Sequence, residues 1–538
     1  MCMATDSSQL TPGVHTGPAG TSIIKKSYHP RLTNEDLAPL VEQKWNWYNI
    51  FAFWMADVHS VGGYVTAGAL FALGLTSWQV FVCLIVGICI VQAMCNLVAK
   101  PSQVHGLAYP VVARVAFGVL GANIAAIIRG SIAIAWYGVQ TFLAAGALTI
   151  MILKLFPGLG DYATDAHTFL GLSYVGYLSF AILWVLQALV FWKGMEMVRW
   201  LCDVSGPLIY AMMFMLCIYM MARADWQISL DLTINDLQLS VGQQLAAMAG
   251  AIALVVSYFA GPMLNFGDFS RYAKSYKQLK LGNFIGLPIN FIVFSLLVVL
   301  TASATLPVFG ELMTNPIDTV AAIDTYFAVL LGGFAFVLAT IGINIVANFV
   351  APAFDFSNVN PQKISWRTGG MIAACGSVIL MPWNWYNNDE AILWTLGILG
   401  ALIGPLFGIL IADYYLIRKQ HVVVDDLFSM EEGGTYWYQK GFNPVAVKSV
   451  IVGGAASISS VVLPELVSAV SWLGQYSWFV GCIAAFVAYV LFARSAGMHL
   501  AAAEEMAHAK ATADIEVSAD GTVAPSDATE VTTAKPVE

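Results

Sequence analysis

Hydrophobic residues in this chain form long continuous blocks separated by short polar connectors. Each block runs for roughly 18 to 25 residues, which as a helix matches the hydrocarbon thickness of a bilayer. The blocks are continuous and not alternating, which excludes a closed β-barrel. We predict about twelve membrane-spanning helices, at approximately residues 48–73, 77–99, 121–153, 169–192, 200–222, 243–266, 281–305, 325–354, 369–385, 391–416, 446–464 and 475–493.

Composition supports this reading and adds an orientation. Only 11% of the 538 residues are charged, against about a quarter in a soluble domain. Lys and Arg concentrate in every second connector, whereas the remaining connectors contain only Lys154 and Arg223. By the positive-inside rule both termini are cytoplasmic. The fold class is therefore an all-α polytopic protein of the plasma (inner) membrane, and residues 1–24 lack the apolar core of a signal peptide.

Five regions follow from the order of the blocks. They are a partly disordered cytoplasmic segment at 1–44, a first repeat of five helices at 45–222, a second at 223–420, an amphipathic connector with two further helices at 421–496, and a disordered acidic tail at 497–538. Eight Cys residues lie singly, so we expect neither metal nor cofactor. No phosphate-binding or catalytic motif occurs, which disfavours a pump driven by ATP and a membrane-embedded enzyme; a channel is a further alternative.

Two predicted helices are interrupted by residues that break helices and lie beside polar side chains. These are Ser60, Gly62 and Gly63 in the first helix, and Gly261 and Pro262, followed by Asn265 and Asp268, in the sixth. The freed backbone groups must face protein or a polar cavity. Matching interruptions in two inverted five-helix repeats are typical of transporters that bind substrate near the bilayer midplane. The alternative is that these residues only pack or kink the helices.

Paired polar residues on two other helices are candidates for the same site. Trp136 and Gln140 are one turn apart on the third helix, where an indole beside an amide suits a flat polar heterocycle. Asn344 and Asn348 are one turn apart on the eighth. Buried amides must be paired, so each either bonds a neighbouring helix or faces a site.

Ordered motifs between residues 31 and 493 resemble the nucleobase–cation symporter-1 family, whose members carry hydantoin, cytosine, allantoin or uracil. They are NEDLAP, AWYGVQTF, NFGDFSRY, NIVANFVAP, RTGG with MPWNWY, and GPLFGILIADYYLIRK. The resemblance implies a substrate sandwiched between aromatic residues of helices three and six. The implied contacts are Trp136, Gln140, Phe259, Asn348 and Ser60, with Phe259 standing where Trp is common.

In sodium-coupled members of that family, a cation lies between helices one and eight. The resemblance implies backbone ligands at Ala56, His59 and Ala339, but the two hydroxyl positions are Gly342 and Ile343 here. Thr340 is a possible substitute that points elsewhere on the helix.

Two ionisable residues, Asp57 and His59, lie at this position, and such residues inside a membrane are functional candidates. We therefore expect a symporter importing a small neutral planar ring by alternating access, coupled to H⁺ through Asp57 or His59, with Na⁺ as the alternative. No nucleic-acid partner is expected, and the oligomeric state is not readable from the sequence.

Other polar residues favour structural roles. Asp268 and Arg271 are expected at a solvated helix end, with a gate as the alternative. Arg129 is expected to snorkel or to form an interhelical ion pair. The aromatic cluster Trp383, Trp385 and Tyr386 is typical of an interfacial belt.

Overall fold

The computed structural model describes residues 15–16, 22–23, 28–59, 61–227 and 237–502. Within these ranges most residues are helical, and two short strand pairs join β1 His15–Thr16 to β2 Ser22–Ile23 and β3 Thr168–Phe169 to β4 Leu172–Ser173. The α-helices are α1 Trp47–Val58, α2 Val61–Ala69, α3 Ser77–His105, α4 Tyr109–Phe117, α5 Ala122–Leu155, α6 Tyr174–Trp192, α7 Met195–Arg223, α8 Val241–Tyr258, α9 Ala260–Leu264, α10 Gly267–Ser270, α11 Tyr276–Phe284, α12 Asn290–Phe309, α13 Pro316–Ile323, α14 Tyr326–Ile343, α15 Ala351–Val359, α16 Trp366–Leu380, α17 Asp389–Ile411, α18 Pro444–Leu466 and α19 Ser477–Ser495.

Ten helices in the described ranges are long and apolar enough to cross a membrane. They correspond to every predicted span except the first and the ninth. The first is divided between α1 and α2, and the ninth, α16, has 15 residues. Three spans continue through π-helical segments, at Ile285–Ile289, Asn344–Val350 and Ala412–Ile417. The predicted all-helical membrane protein is confirmed, whereas the symmetry of the two repeats stays a prediction.

Both predicted interruptions are present. The first helix ends at Val58, and His59 has the non-helical angles φ −86° and ψ 69° before α2 begins. In the sixth helix, α8 ends before Phe259, whose φ is −84° and ψ is 0°. This break precedes Gly261 and Pro262, which lie inside α9. The physical reason is that Pro262 has no N–H to donate to the carbonyl four residues before it, so the α8 hydrogen-bond ladder stops at Tyr258.

Residues 28–44 of the N-terminal segment pack against the ends of several helices. Asn34 Nδ2 donates to Ser357 Oγ at 2.8 Å, and Trp366 N donates to Asp36 Oδ2 at 3.2 Å. Burial raises the pKa of Asp36, and the Trp366 N–H opposes that rise. Gln43 Nε2 donates to the carbonyl that follows α10 at 2.8 Å. This segment therefore connects the end of the sixth helix to the eighth and ninth.

The two C-terminal helices pack tightly on α17 through small residues. An alanine Cβ at Gly404 would lie 2.3 Å from the Trp478 carbonyl oxygen, and one at Gly408 would lie 2.2 Å from that of Cys482. Ser477 Oγ also donates to the Gly397 carbonyl at 2.7 Å. Glycines that let backbones approach closely are the usual means of helix association in membranes.

Candidate functional site

Trp136 and Gln140 are buried on α5, and both contact Tyr258, the last residue of α8. The Trp136 and Tyr258 rings meet edge to face with centroids 5.5 Å apart. Gln140 Nε2 donates to Tyr258 Oη at 3.3 Å. Gln140 Oε1 is buried and has no hydrogen-bond partner among the described residues. The third helix therefore presents an indole and an unsatisfied amide oxygen at the break in the sixth helix.

The Gln140 amide also lies against the broken first helix. An alanine Cβ at Gly62 would lie 2.4 Å from Gln140 Nε2 and 2.7 Å from Oε1. Only a residue without a side chain allows this approach, which gives Gly62 a reason to be glycine beyond breaking a helix. Gly63 is buried beside it. Ser60, the predicted polar contact of helix one, lies outside the described residues.

Phe259 does not lie over Trp136. Its ring packs against Tyr258 at 5.1 Å and Phe291 at 5.6 Å between centroids. Tyr258 is therefore the ring at this break that contacts Trp136 directly, and the substrate contact expected at Phe259 stays a prediction. The sequence pattern did not indicate Tyr258, because the expected aromatic position was one residue later, at the residue with non-helical backbone angles.

Tyr386 is a second aromatic neighbour that the sequence reasoning missed. Its ring lies 6.2 Å from that of Trp136, and the residue is 1% exposed. Trp383 is also buried, with its Nε1 donating to the Leu170 carbonyl at 2.8 Å. The expected interfacial belt is therefore wrong for these two residues. The connector between the ninth and tenth helices folds inward, where the turn between β3 and β4 supplies the acceptor for the Trp383 indole.

Asn344 and Asn348 lie on the π-helical segment of the eighth helix and have different roles. Asn344 Nδ2 donates to the Tyr137 carbonyl at 3.2 Å and to Thr141 Oγ1 at 2.9 Å, which fixes this segment to α5. Asn348 Nδ2 donates to Asn344 Oδ1 at 2.9 Å. Among the described residues nothing else bonds the Asn348 amide, so its oxygen and its second N–H are available.

Arg129 is buried on α5 and neither snorkels nor forms a close ion pair. Its Nε donates to the Gly261 carbonyl at 3.4 Å, and a terminal nitrogen donates to the Ala347 carbonyl at 3.2 Å. The expected snorkelling is therefore wrong. The guanidinium instead satisfies carbonyls of broken helix six and of the π-helical segment, where regular backbone acceptors are freed.

One of the oxygen atoms near the expected cation position comes from an unexpected helix. From an ideal Cβ at Gly342, Ser205 Oγ lies at 3.6 Å and the Ala56 carbonyl oxygen at 3.8 Å. Ser205 belongs to α7, and its hydroxyl is buried without a partner among the described residues, as is that of Thr340. Ala339 is also buried. The sequence reasoning missed Ser205 because nothing in the pattern of α7 marks it.

Asp57 and His59 are both buried, but their surroundings differ. The His59 ring packs against Tyr210 at 4.0 Å and Phe294 at 5.4 Å between centroids. Neither His59 nitrogen has a hydrogen-bond partner among the described residues. Asp57 lies within electrostatic range of Arg129. A charge on Asp57 thus has a counter-ion, whereas the groups beside the His59 ring are aromatic side chains and the Met55 backbone, none of which carries a charge.

Asp268 and Arg271 are fully buried, so the expected solvated helix end is wrong. Tyr109 N donates to Asp268 Oδ1 at 2.8 Å. Arg271 donates to the carbonyls of Asp36 and Ala38 in the N-terminal segment. That segment covers the end of the sixth helix, which the sequence pattern could not show because the segment itself is polar.

Comparison with known proteins agrees with this architecture. A family model described as a permease for cytosine/purines, uracil, thiamine and allantoin matches residues 39–481. An allantoin permease of Bacillus subtilis is 32% identical over 89% of this chain and 97% of its own. A purine–uracil permease of Arabidopsis thaliana is 30% identical over 80% of this chain and 71% of its own. The solved structure of Mhp1, a nucleobase–cation–symport-1 family transporter, has a TM-score of 0.70 at 22% identity and covers 86% of this chain and 95% of its own.

Proposed function

Because the chain belongs to the family of permeases for cytosine and purines, uracil, thiamine and allantoin, we propose that it imports one small, neutral, planar ring by alternating access. The substrate class is a nucleobase, allantoin or a hydantoin, and both termini are cytoplasmic. The protein is an integral membrane transporter and not an enzyme.

The observation that carries this proposal is the meeting of Trp136, Gln140 and Tyr258 at the breaks of two helices. The indole and phenol supply stacking surface for a flat ring. Gln140 Oε1 can accept a ring N–H, and the Asn348 amide can both donate and accept. A neutral ring with alternating C=O and N–H groups satisfies these atoms, whereas a charged substrate would find no opposite charge on Trp136, Gln140, Tyr258 or Asn348.

Coupling to H⁺ is the second part of the proposal, and Asp57 is the favoured carrier. Its Oδ1 is buried without a partner among the described residues, so a proton that neutralises the carboxylate lowers the cost of burying it. His59 is less suited, since its ring packs against aromatic side chains and no carboxylate in the described part of the chain lies within 4.0 Å of its nitrogens. Charged residues inside membranes commonly serve in proton relays.

Uptake into proteoliposomes tests both parts. Allantoin, uracil, cytosine and hydantoin are offered separately, with an imposed pH gradient or an imposed Na⁺ gradient. We expect one of these compounds to accumulate above its external concentration under the pH gradient. A proton ionophore, which dissipates that gradient, should abolish the accumulation. Asp57→Asn should lose this accumulation, while Asp203→Asn, a half-buried acid paired with Arg199 at 3.4 Å, should keep it. No uptake of any of the four compounds would refute the substrate class.

A Na⁺-coupled carrier is the alternative, and one observation favours it. Ser205 Oγ and the Ala56 carbonyl oxygen converge beside Gly342, and a hard cation requires several such oxygens. If Na⁺ is the coupling ion, Ser205→Ala should raise the Na⁺ concentration for half-maximal uptake at least about tenfold, which corresponds to about 1.4 kcal/mol. An unchanged Na⁺ dependence would exclude Ser205 as a ligand.

A further inference from the structure

A second pair of buried acids lies beyond the substrate residues, at the end of broken helix six. Asp268 is the second residue of α10, and Asp355 lies on α15 of the eighth helix. Asn265 Nδ2 donates to Asp268 Oδ2 at 3.1 Å and to Asp355 Oδ2 at 3.3 Å. The two carboxylate oxygens share one nitrogen, so they are separated by at most the sum of these distances.

Neither acid has a directly bonded counter-ion. Among the described residues, no Lys, Arg or His nitrogen lies within 4.0 Å of either carboxylate. The donors to Asp268 are the Tyr109 backbone N–H and the Asn265 amide, both neutral. Asp355 Oδ1 is buried without a hydrogen-bond partner. Two adjacent carboxylates in such surroundings cannot both ionise without a large desolvation and repulsion penalty.

The charged and titratable groups around the pair come from four other parts of the chain. Arg129 of α5 and Tyr109 of α4 lie within electrostatic range of the pair, and Asp57 of α1 lies within range of Arg129. Arg271, after α10, is in range of Asp268 but donates to the carbonyls of residues 36 and 38. Arg129 likewise donates to carbonyls. The Tyr109 hydroxyl is buried without a partner among the described residues, and one Arg129 nitrogen is unpaired as well.

We propose that Asp268 and Asp355 hold one proton between them and form a second protonation site, linked to Asp57 through Arg129. The proton resides on one carboxyl group while the other is ionised, and Asn265 bridges the two. Arg129 connects this site to the carbonyls of Gly261 and Ala347, which flank the substrate residues of the sixth and eighth helices. Binding or release of this proton therefore changes the negative charge that Arg129 experiences. Through Arg129, it affects the contact between the sixth and eighth helices, which we expect to move during transport.

This inference rests on the proposed transport function for its role, but the bound proton can be tested without transport. Infrared difference spectroscopy of the full-length protein detects the C=O stretch of a protonated buried carboxyl group. In the Asp57→Asn background at pH 7, we expect this band to be present. It should be lost or shifted in both Asp57→Asn/Asp355→Asn and Asp57→Asn/Asp268→Asn, and retained in Asp57→Asn/Asp203→Asn.

Two outcomes overturn the proposal. One is the absence of a protonated-carboxyl band in Asp57→Asn at pH 7. This outcome does not depend on whether the double variants fold. The other is a band that neither second substitution changes. In transport assays, Asp355→Asn should lose accumulation driven by a pH gradient and keep substrate exchange at equal concentrations. If the wild-type protein carries none of the four compounds but the band behaves as expected, the proposed function fails and the proton site stands.

Discussion

The close approach of Gly62 to Gln140 gives a sharp test of the substrate site. An alanine Cβ at Gly62 would lie 2.4 Å from Gln140 Nε2, which is well inside van der Waals contact. The atoms it meets are the end of a flexible side chain, so we expect Gln140 to move and the fold to persist. Alanine is favoured over glycine within a helix by roughly 0.5 to 1 kcal/mol, which offsets the loss of the Gln140–Tyr258 hydrogen bond, worth about 0.5 to 1.5 kcal/mol, so thermal stability should change little.

Binding should weaken although stability does not. A displaced Gln140 loses its hydrogen bond to Tyr258 and no longer meets the substrate. A hydrogen bond contributes about 0.5 to 1.5 kcal/mol, and a buried group left unpaired costs about 1 to 3 kcal/mol. Gly62→Ala should therefore weaken substrate affinity by roughly 5- to 100-fold. The assay is substrate titration of the detergent-purified protein, followed by tryptophan fluorescence, with the melting temperature measured on the same sample.

A matched control and a double-mutant cycle isolate the cause. Gly146→Ala places a Cβ on α5 where no atom lies within 4 Å, so affinity should not change. In a Gln140→Ala background, Gly62→Ala should have little further effect, because the displaced amide is already absent. Additive losses of affinity in the double variant, or a folding defect in Gly62→Ala alone, would refute this reasoning.

Three further substitutions test separate contacts. Tyr258→Phe removes the acceptor of the Gln140 N–H but keeps the ring, so substrate affinity in the same titration should fall about fivefold, or about 1 kcal/mol; an unchanged affinity would show that the hydroxyl is not needed. Arg129→Met leaves buried carbonyls and acids without their cation, so the free energy of unfolding should fall by about 3 to 5 kcal/mol, measured as a lower melting temperature. A variant with the stability of the wild type would contradict the role assigned to Arg129. Gly408→Ala pushes a Cβ against the Cys482 carbonyl and should cost about 1 to 3 kcal/mol, with substrate affinity unchanged in the protein that remains folded.

Much of the architecture follows from the sequence because the bilayer restricts the choices. Helices are the only continuous apolar elements that satisfy their own backbone in lipid, so the spans could be predicted from block length alone. The breaks in the first and sixth helices were predictable from Gly and Pro chemistry, although the second break lies earlier than Pro262 because the missing N–H affects the preceding turn. Trp136 and Gln140 shared a face by their spacing, and both are buried at that break.

Only the tertiary structure decided which residues meet across helices. Tyr258 contacts Trp136 directly, although the sequence indicated Phe259 as the aromatic residue of this helix, because residue spacing does not specify which ring faces a neighbour at a helix break. The oxygen atoms of Ser205 and Ala56, and the acids Asp268 and Asp355, come from distant parts of the chain. No local pattern joins them, because periodicity specifies which face of a helix is polar but not which neighbour that face contacts.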